Sequence, residues 1–394
     1  MPLLEVRDLT VSFHTTDGLV QAVRGVSFDV EKGHTLGVVG ESGSGKTVCT
    51  QTLIGLTPGA DVSGRALFDG QDLLRMSSAE LRKVRGARIA AIFQDPLSSL
   101  HPLYTVGWQI VEMIRAHRHI ARSAARARAI ELLDMVGIPQ AASRVDDYPH
   151  QFSGGMRQRA MIAMALALDP DLIIADEPTT ALDATVQAQV IELMMKLQAE
   201  FDTALIIITH DMGVIAETAD EVMVMYAGKA VEKADRRTLF YFPHHPYTKG
   251  LLESIPGSTA AGEKLRPIPG QPPSLISIPT GCAFHPRCQY VMDRCISEVP
   301  PLFDIAGGHT SACFLPTQIL GLGEDVDRER ASAAAVGRAE NGAAARLAAR
   351  ATEEIETSGV HLPDAGALAG AGMSDRSRDP GTSQNSPDDA GTQQ

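Results

Sequence analysis

A glycine-rich segment near the N-terminus constrains the fold more than any other part of the chain. Residues 40–47 read Gly-Glu-Ser-Gly-Ser-Gly-Lys-Thr and follow the apolar run 36–39. The segment matches the pattern G-x-x-x-x-G-K-[ST], in which a strand enters a tight loop and a helix begins near the lysine. The N–H groups of such a loop and of the helix N-terminus together bind phosphate oxygens. The sequence therefore predicts a nucleoside triphosphate site in an α/β fold.

Each position of this loop is a candidate for nucleotide binding. The candidates are Gly40, Glu41, Ser42, Gly43, Ser44, Gly45, Lys46 and Thr47. We expect Lys46 to reach the β- and γ-phosphates as a point charge, and the Thr47 hydroxyl to contact Mg²⁺.

Two adjacent acids end a second apolar run. Asp176 and Glu177 follow residues 172–175, and the strands of a parallel sheet deliver such side chains to the edge where ligands bind. Neighbouring side chains of a strand point to opposite sides, so the two acids should have different tasks. We expect Asp176 to hold Mg²⁺ opposite Thr47, and Glu177 to act as general base toward the attacking water.

Short strands alternate with helices over residues 1–235. The apolar runs 172–175 and 204–208 are typical of strands buried in a parallel sheet, and residues 184–201 have helical spacing. Further strands are expected at 4–7, 9–13, 22–24, 26–30 and 35–39, and further helices at 108–137 and 156–168. The pattern predicts a parallel α/β core with an antiparallel N-terminal sheet and a helical insertion.

The segment 152–159 narrows the class of protein. It reads Phe-Ser-Gly-Gly-Met-Arg-Gln-Arg and resembles the signature sequence of ATP-binding cassette (ABC) ATPases, usually L-S-G-G-Q. A hydroxyl and two glycines at a helix N-terminus form a second anion-binding site. The resemblance implies that Ser153, Gly154 and Gly155 contact the nucleotide held by a partner subunit.

Other residues resemble the same family in the same order along the chain. Gln94 matches the glutamine that senses Mg²⁺ and the γ-phosphate, and His210 matches the switch histidine that contacts the γ-phosphate. Phe13 aligns with the aromatic residue that stacks on adenine. Asp183, in Ala181-Leu-Asp, matches the loop that crosses the dimer interface. The resemblance implies a head-to-tail dimer that ATP closes and hydrolysis opens.

The resemblance also implies an architecture and an activity. The expected fold is a RecA-like P-loop core with an antiparallel β subdomain and a helical signature subdomain at about 95–160, within an ATPase domain over residues 1–240. The expected reaction is hydrolysis of ATP with Mg²⁺ as cofactor, held by Thr47, Gln94 and Asp176.

Two further segments are similar to the ATPases of dipeptide and oligopeptide permeases. They are residues 94–107, directly after the matched glutamine, and residues 242–252, with Pro-His-His-Pro-Tyr-Thr-Lys-Gly. This resemblance implies peptide import with a second ATPase subunit, identical or paralogous. It also implies two transmembrane permease subunits and an extracytoplasmic solute-binding protein as partners. Nickel and glutathione importers share these segments, so the solute stays open.

Four of the five cysteines cluster after a proline-rich stretch. Since a cytosolic chain is not expected to build disulfides, such a cluster suggests a metal site. The pattern resembles the C-terminal extension of the same permease ATPases, here 241–320, in which some members hold a [4Fe–4S] cluster through thiolates. An iron–sulfur cluster, zinc and free thiols are the alternatives for Cys282, Cys288, Cys295 and Cys313.

Composition disfavours several other classes. No stretch has the roughly 18 uninterrupted apolar residues of a spanning helix, and the first eight residues contain both acid and base, unlike a secretory signal. The net charge of −13 disfavours nucleic-acid binding. Residues 321–394 contain 13 acids, 7 arginines and no aromatic residue, which predicts a disordered acidic tail. We expect the protein at the cytoplasmic face of the cell membrane.

A soluble ABC ATPase that acts on ribosomes or DNA is the alternative from another class. Such proteins usually carry two cassettes, or a very long coiled coil between the P-loop and the signature. Here Gly40 and Gly154 lie only 114 positions apart. A regulatory module without turnover would be expected to lack Glu177 or His210, and both are present. We therefore expect a transport ATPase.

Overall fold

The apolar runs of the sequence become the central strands of a large sheet. The computed structural model describes residues 1–95, 99–180, 182–255 and 267–315. The strands are β1 (Leu4–Thr15), β2 (Gly18–Val30), β3 (Thr35–Val39), β4 (Asp61–Phe68), β5 (Gln71–Asp72), β6 (Ile89–Ile92), β7 (Leu172–Asp176), β8 (Ala204–Thr209), β9 (Glu221–Tyr226), β10 (Lys229–Asp235), β11 (Phe303–Ala306) and β12 (His309–Ser311).

Helices cover the sheet and form the insertion. They are α1 (Lys46–Leu53), α2 (Ser78–Val84), α3 (Val106–His117), α4 (Arg122–Met135), α5 (Ala141–Arg144), α6 (Gly154–Ala165), α7 (Ala184–Phe201), α8 (Met212–Thr218), α9 (Arg236–Tyr241), α10 (Pro246–Glu253) and α11 (Asp293–Ser297). Among the described residues, none of them combines the length and the apolarity needed to cross a bilayer.

The large sheet has the strand order β11-β12-β10-β9-β3-β8-β7-β6 within the described part of the chain. Strands β9, β3, β8, β7 and β6 pair in parallel, which confirms the predicted parallel core. Strand β3 lies between β8 and β9, so the glycine-rich loop leaves the middle of the sheet. The acids that end β7 emerge at the same edge, because the carboxyl ends of parallel strands meet there.

The central strands are buried on both faces. Leu36 and Ile206 pack into one core, beneath the antiparallel sheet, while Val39 and Ile207 pack into the other, beneath the helices. Because both faces are covered, these strands are apolar throughout rather than alternating.

The smaller sheet is antiparallel and has the order β2-β1-β4-β5, which confirms the predicted N-terminal sheet. Four short strands were expected where β1 and β2 are each continuous. The expected breaks fall at Asp8 (φ 50°) and Gly25 (φ 79°), and the register of the β1–β2 pair shifts between Val6 and Leu9. These irregularities bend the strands without ending them.

The helical insertion differs from the predicted single helix over 108–137. Helices α3 and α4 are separate, and the Arg118 amide makes the last helical bond of α3, to the Ile114 carbonyl. The Arg118 side chain makes tertiary contacts. Arg118 Nη2 donates to the Leu168 carbonyl at 2.9 Å and to the Asp169 carboxylate at 3.0 Å. The predicted helix over 184–201 is confirmed as α7.

Residues 267–315 pack against the core and extend its sheet. Strand β12 pairs with β10, with Ser311 opposite Glu232. Glu232 is fully buried, and its carboxylate accepts hydrogen bonds from His309 Nε2 at 2.8 Å and from the amides of His244 and His245. The predicted disordered tail, 321–394, lies outside the residues that the structure describes.

Candidate nucleotide-binding site

The glycine-rich loop forms a turn that only glycine fits at two positions. Gly40 (φ 152°) and Gly45 (φ 98°) both have left-handed backbone conformations. A Cβ atom would collide with the Met225 carbonyl oxygen at Gly40, and with the Ala22 carbonyl oxygen at Gly45. The loop therefore follows the neighbouring main chain closely, and its amides line a concave surface between β3 and α1.

Lys46 lies inside this curve. Its side chain is buried, and Nζ donates to the carbonyls of Gly40 at 2.7 Å and Glu41 at 3.0 Å. Burial lowers the pKa of Lys46, while the negative charges of Glu177, Asp176 and Glu41 oppose that shift. A positive charge is thus held at the floor of the site.

A cavity of about 860 Å³ opens above the loop, within the size range of ligand pockets. Ser44 Oγ lies in its wall, is buried, and has no hydrogen-bond partner among the described residues. An unsatisfied hydroxyl beside a curved row of amides fits the oxygens of a phosphate chain. The full lining is Ala22, residues 41–48, Gln94, Glu177, Thr180, His210, Pro272 and Leu275.

Thr47 lines the cavity, and Asp176, which is not part of the described lining, lies directly beside it. The Thr47 hydroxyl donates to Asp176 Oδ1 at 3.0 Å. Burial raises the pKa of Asp176, and the hydrogen bond from Thr47 works against that shift. A hydroxyl and a carboxylate placed together offer the oxygen ligands that Mg²⁺ prefers.

Glu177 brings the predicted catalytic side chains together. Its Oε2 accepts from Gln94 Nε2 at 2.8 Å and from the Thr180 hydroxyl at 2.9 Å, and its Oε1 lies 3.2 Å from His210 Nδ1. Strand β7 ends at Asp176, so the expectation that Asp176 and Glu177 point to opposite sides of a strand does not apply to Glu177. Its left-handed backbone, with φ 47°, sets its direction instead.

The residues predicted to serve a partner's nucleotide lie elsewhere. Ser153 and Gly154 are exposed at the start of α6, where Ser153 Oγ accepts from the Met156 amide at 3.3 Å. Asp183 is exposed and caps α7, and Gly155 is half-buried. Among the described residues these four do not line the cavity.

Two other predictions concern positions outside the cavity lining. Phe13 is half-buried against the core beneath the antiparallel sheet and does not line the cavity in the described structure. Ala181, which precedes Leu-Asp183 in the predicted interface loop, lies outside the described residues. Their roles stay predictions.

The sequence did not indicate three residues that hold this site. Thr180 bonds to Glu177, as above. Tyr247 accepts a hydrogen bond from the Glu41 amide at 2.7 Å, and Arg287 pairs with the Glu41 carboxylate at 2.6 and 2.9 Å. Burial raises the pKa of Tyr247, so it remains a neutral hydroxyl. Tyr247 lies 206 positions and Arg287 lies 246 positions from Glu41. Contacts over such separations leave no local pattern in the sequence.

The four clustered cysteines converge but do not form a metal centre as placed. They line one cavity of about 10 Å³, which is room for about one water molecule. Burial raises the pKa values of Cys282 and Cys288, and that of Cys313 to about 12, which favours neutral thiols. Within the described ranges, no group of three or more His, Cys, Asp or Glu residues is arranged to hold a metal ion. The iron–sulfur and zinc predictions are therefore not supported.

Known protein families match most of the described chain. The ABC transporter family model matches residues 23–180, and the model of the oligopeptide/dipeptide transporter C-terminal region matches residues 231–295. The oligopeptide transport ATP-binding protein OppD of Bacillus subtilis is 53% identical over 311 residues, which cover 78% of this chain and 87% of that protein. The dipeptide transport ATP-binding protein DppD of Escherichia coli is 49% identical over 323 residues, covering 82% and 99%.

Solved structures of ATP-binding cassettes have the same fold. A dimeric post-hydrolysis state of the cassette MJ0796, bound to ADP and phosphate, superposes with a TM-score of 0.54 at 26% identity, covering 59% of this chain and 99% of that chain. CbiO1 of Clostridium perfringens, part of the ABC transporter complex cbiONQ, gives 0.53 at 27% identity, covering 61% and 90%.

Fold and cavity together define a P-loop ATPase of the ATP-binding cassette type, which binds ATP and Mg²⁺. Within that class, the chain belongs to the ABC transporter family, among the ATP-binding proteins that carry the oligopeptide/dipeptide C-terminal region. The predicted fold class and ATPase activity are confirmed.

Proposed function

We propose that this chain is the ATP-hydrolysing subunit of an importer of dipeptides and oligopeptides at the cytoplasmic face of the membrane. The assignment of Glu177 as the base rests on its contacts with Gln94 and His210 at the rim of the P-loop cavity. The solute class follows the names of the similar proteins. Residues 1–240 would be the ATPase domain, with its helical subdomain at about 95–160, and residues 241–320 the permease-type extension.

In this proposal the loop holds the phosphates and Glu177 activates the water. The loop amides and Lys46 fix the β- and γ-phosphates, so that the γ-phosphorus faces the rim. Glu177 takes a proton from the attacking water, which Gln94 and His210 orient. Thr47, Asp176 and Gln94 would hold Mg²⁺, which neutralises the charge that develops on the phosphate oxygens.

A second ATPase subunit would complete the site. In the described structure, Ser153, Gly154 and Gly155 lie outside the lining of the cavity. In a head-to-tail dimer these residues face the nucleotide of the partner. Nucleotide that contacts both subunits favours the closed dimer, and loss of the γ-phosphate removes that preference. Such a cycle converts hydrolysis into opening and closing.

An exposed aromatic surface after Gln94 supports docking to a membrane partner. Leu103 is 76% exposed, and the rings of Tyr104 and Trp108 stack with centroids 4.1 Å apart at the start of the helical insertion. Exposed apolar groups of this kind mark interaction surfaces. We assign this surface to the two permease subunits, which in turn would receive solute from an extracytoplasmic binding protein.

Uptake by the reconstituted importer tests this function. The chain would be purified with its permeases, placed in proteoliposomes with the binding protein, and supplied with ATP. We expect ATP-dependent accumulation of a labelled tripeptide, and none with Lys46→Ala subunits. If nickel or glutathione accumulates and peptide does not, the assigned solute changes to that compound. If the chain hydrolyses ATP but associates with no membrane protein, the function is that of a soluble ATPase.

The predicted metal in the extension is tested separately. The thiol cavity is too small for a cluster in this arrangement, so no step of the mechanism uses one. Iron, zinc and acid-labile sulfide would be measured in the anaerobically purified chain, with Cys295→Ser as comparison. We expect substoichiometric metal. Stoichiometric metal that Cys295→Ser removes would restore the prediction and require a wider cavity.

A further inference from the structure

Arg287 connects the C-terminal extension to the glycine-rich loop. Its side chain is only 5% exposed, and its two terminal nitrogens donate to both carboxylate oxygens of Glu41, at 2.6 and 2.9 Å. Nη1 also lies 3.3 Å from the Tyr226 hydroxyl, and Nε donates to the Pro269 carbonyl at 2.8 Å. A planar guanidinium that pairs through two parallel bonds fixes direction as well as distance.

Glu41 is held by the extension at two points. Its carboxylate pairs with Arg287, and its amide donates to the Tyr247 hydroxyl at 2.7 Å. The Glu41 carbonyl in turn accepts from Lys46 Nζ at 3.0 Å. A continuous set of hydrogen bonds therefore runs from the extension through the second residue of the loop to the phosphate-binding lysine.

The extension also supplies part of the cavity wall. The segment that begins at Pro269, whose carbonyl Arg287 holds, continues to Pro272 and Leu275, and both of these line the nucleotide cavity. The Leu275 carbonyl accepts from the Gln21 amide at 3.0 Å, which attaches this segment to β2. The loop amides face phosphates, so these apolar side chains are suited to the base of the nucleotide.

We propose that the C-terminal extension forms part of the nucleotide site of its own chain, with Arg287 as the positioning residue that fixes the loop through Glu41. Pro272 and Leu275 form an apolar wall for the base. This inference rests on the proposed binding of ATP by the loop. It adds that a region outside the ATPase domain, the extension, helps to form the same site.

Loss of Arg287 should weaken ATP binding more than catalysis. Without the pair, Glu41 and the 269–275 segment are no longer fixed, so nucleotide binding must order them. Glu177, Gln94 and His210 make no contact with Arg287 in the described structure and should act normally once ATP is bound. A defect in KM with little change in kcat separates this role from general damage to the fold.

The experiment compares variants of the full-length chain in its purified assembly. For Arg287→Ala we expect the KM for ATP and the Kd for a fluorescent ATP analogue to rise about tenfold or more, as charge-assisted pairs suggest. The kcat should stay within about twofold. Arg287→Lys should restore part of the affinity. Glu41→Gln removes the charge of the pair but leaves the contacts of Arg287 with Pro269 and Tyr226 in place, so it should raise the KM less than Arg287→Ala. The double variant should be no weaker than Arg287→Ala alone, because both changes act on the same pair.

Two further variants sharpen the test. Arg294 lies in the same extension but pairs with Glu298 at 2.8 Å on an exposed helix, so Arg294→Ala should leave the KM unchanged. Leu275→Ser should raise the KM and reduce the preference for ATP over inorganic triphosphate, since only the wall for the base is altered.

An unchanged KM in Arg287→Ala and Glu41→Gln would overturn the inference. If Arg287→Ala does not fold, Glu41→Gln alone decides, since it leaves the extension intact. Lys46→Ala distinguishes a failure of the proposed nucleotide site from a failure of the role given to the extension. If Lys46→Ala still binds ATP, the proposed site itself is wrong. If it loses ATP while Arg287→Ala and Glu41→Gln bind normally, only the role of the extension is wrong.

Discussion

Glu177 has a backbone conformation that is uncommon for its residue type. Its φ of 47° lies in the left-handed region, which non-glycine residues occupy rarely and at some energetic cost. Its amide donates to the Ile208 carbonyl at 2.8 Å, and its carboxylate meets Gln94, Thr180 and His210. These contacts hold the strained residue, and they direct the carboxylate toward the cavity.

Glu177→Gln should separate ATP binding from hydrolysis. The amide keeps the size of the side chain but cannot take a proton from water, so phosphate release should fall about 10²- to 10⁴-fold. ATP affinity should be retained, and the ATP-bound dimer should accumulate. Phosphate release and nucleotide binding measure this, with the exposed Glu192→Gln on α7 as control. Turnover at the normal rate would show that another group is the base.

At the scale of elements, the start of α6 offers a matched pair of glycines. A Cβ atom at Gly154 would meet nothing within 4 Å, whereas one at Gly155 would lie 2.9 Å from Val186 Cγ1 on α7. Alanine at Gly154 therefore fits the single chain without a clash, whereas alanine at Gly155 would clash with Val186 of the same chain. Any damage from Gly154→Ala must come from a contact outside the described chain.

Gly154→Ala should leave the melting temperature and ATP binding unchanged but reduce turnover in the assembly at least about tenfold. The reason is that the new methyl group would occupy space that the partner's nucleotide needs. Gly155→Ala should lower stability as well. Thermal unfolding and phosphate release distinguish the two, and full activity in Gly154→Ala would argue against a nucleotide at this helix.

The attachment of the extension depends on Glu232. Glu232→Ala would leave the amides of His244 and His245 and the His309 ring without their acceptor, in a buried site. A buried donor left without its acceptor costs about 1–3 kcal/mol, and three donors lose their acceptor here, so urea denaturation should show a loss of at least about 2 kcal/mol. Glu298→Ala, which removes an exposed pair with Arg294, should cost less than about 1 kcal/mol. Equal losses would contradict the role of Glu232.

Local patterns in the sequence predicted the elements well and the contacts between distant elements poorly. The period of apolar residues gave β3 and α7 with their observed bounds, and the glycine-rich pattern located the cavity. The Arg287–Glu41 pair joins positions 246 residues apart, and the spacing of residues along the sequence does not predict such a contact. The cysteine spacing likewise could not reveal the small volume that the four thiols enclose.

At the scale of the whole molecule, the proposal assigns nucleotide contacts to two surfaces, and in the described structure the residues of the second surface do not line the cavity of the first. One is the P-loop cavity with Glu177. The other is the start of α6, where Gly155 lies close to Val186 in the first turn of α7, the helix that Asp183 caps. Two surfaces apart on one chain come together when two subunits associate head to tail. The central claim is that each cavity is half of a site, which a second subunit completes.

Ser153→Arg in the purified assembly tests that claim most directly. Ser153 is exposed at the start of α6 and does not line the cavity of its own chain, so we expect a long charged side chain there to act on a partner's site. The control is Ala199→Arg, which lies about 24 Å from Asp183 along α7 by the rise of a helix. We predict that Ser153→Arg binds ATP normally at its own loop yet loses most ATP turnover, while the control keeps both. Normal turnover by Ser153→Arg would contradict a site shared between subunits.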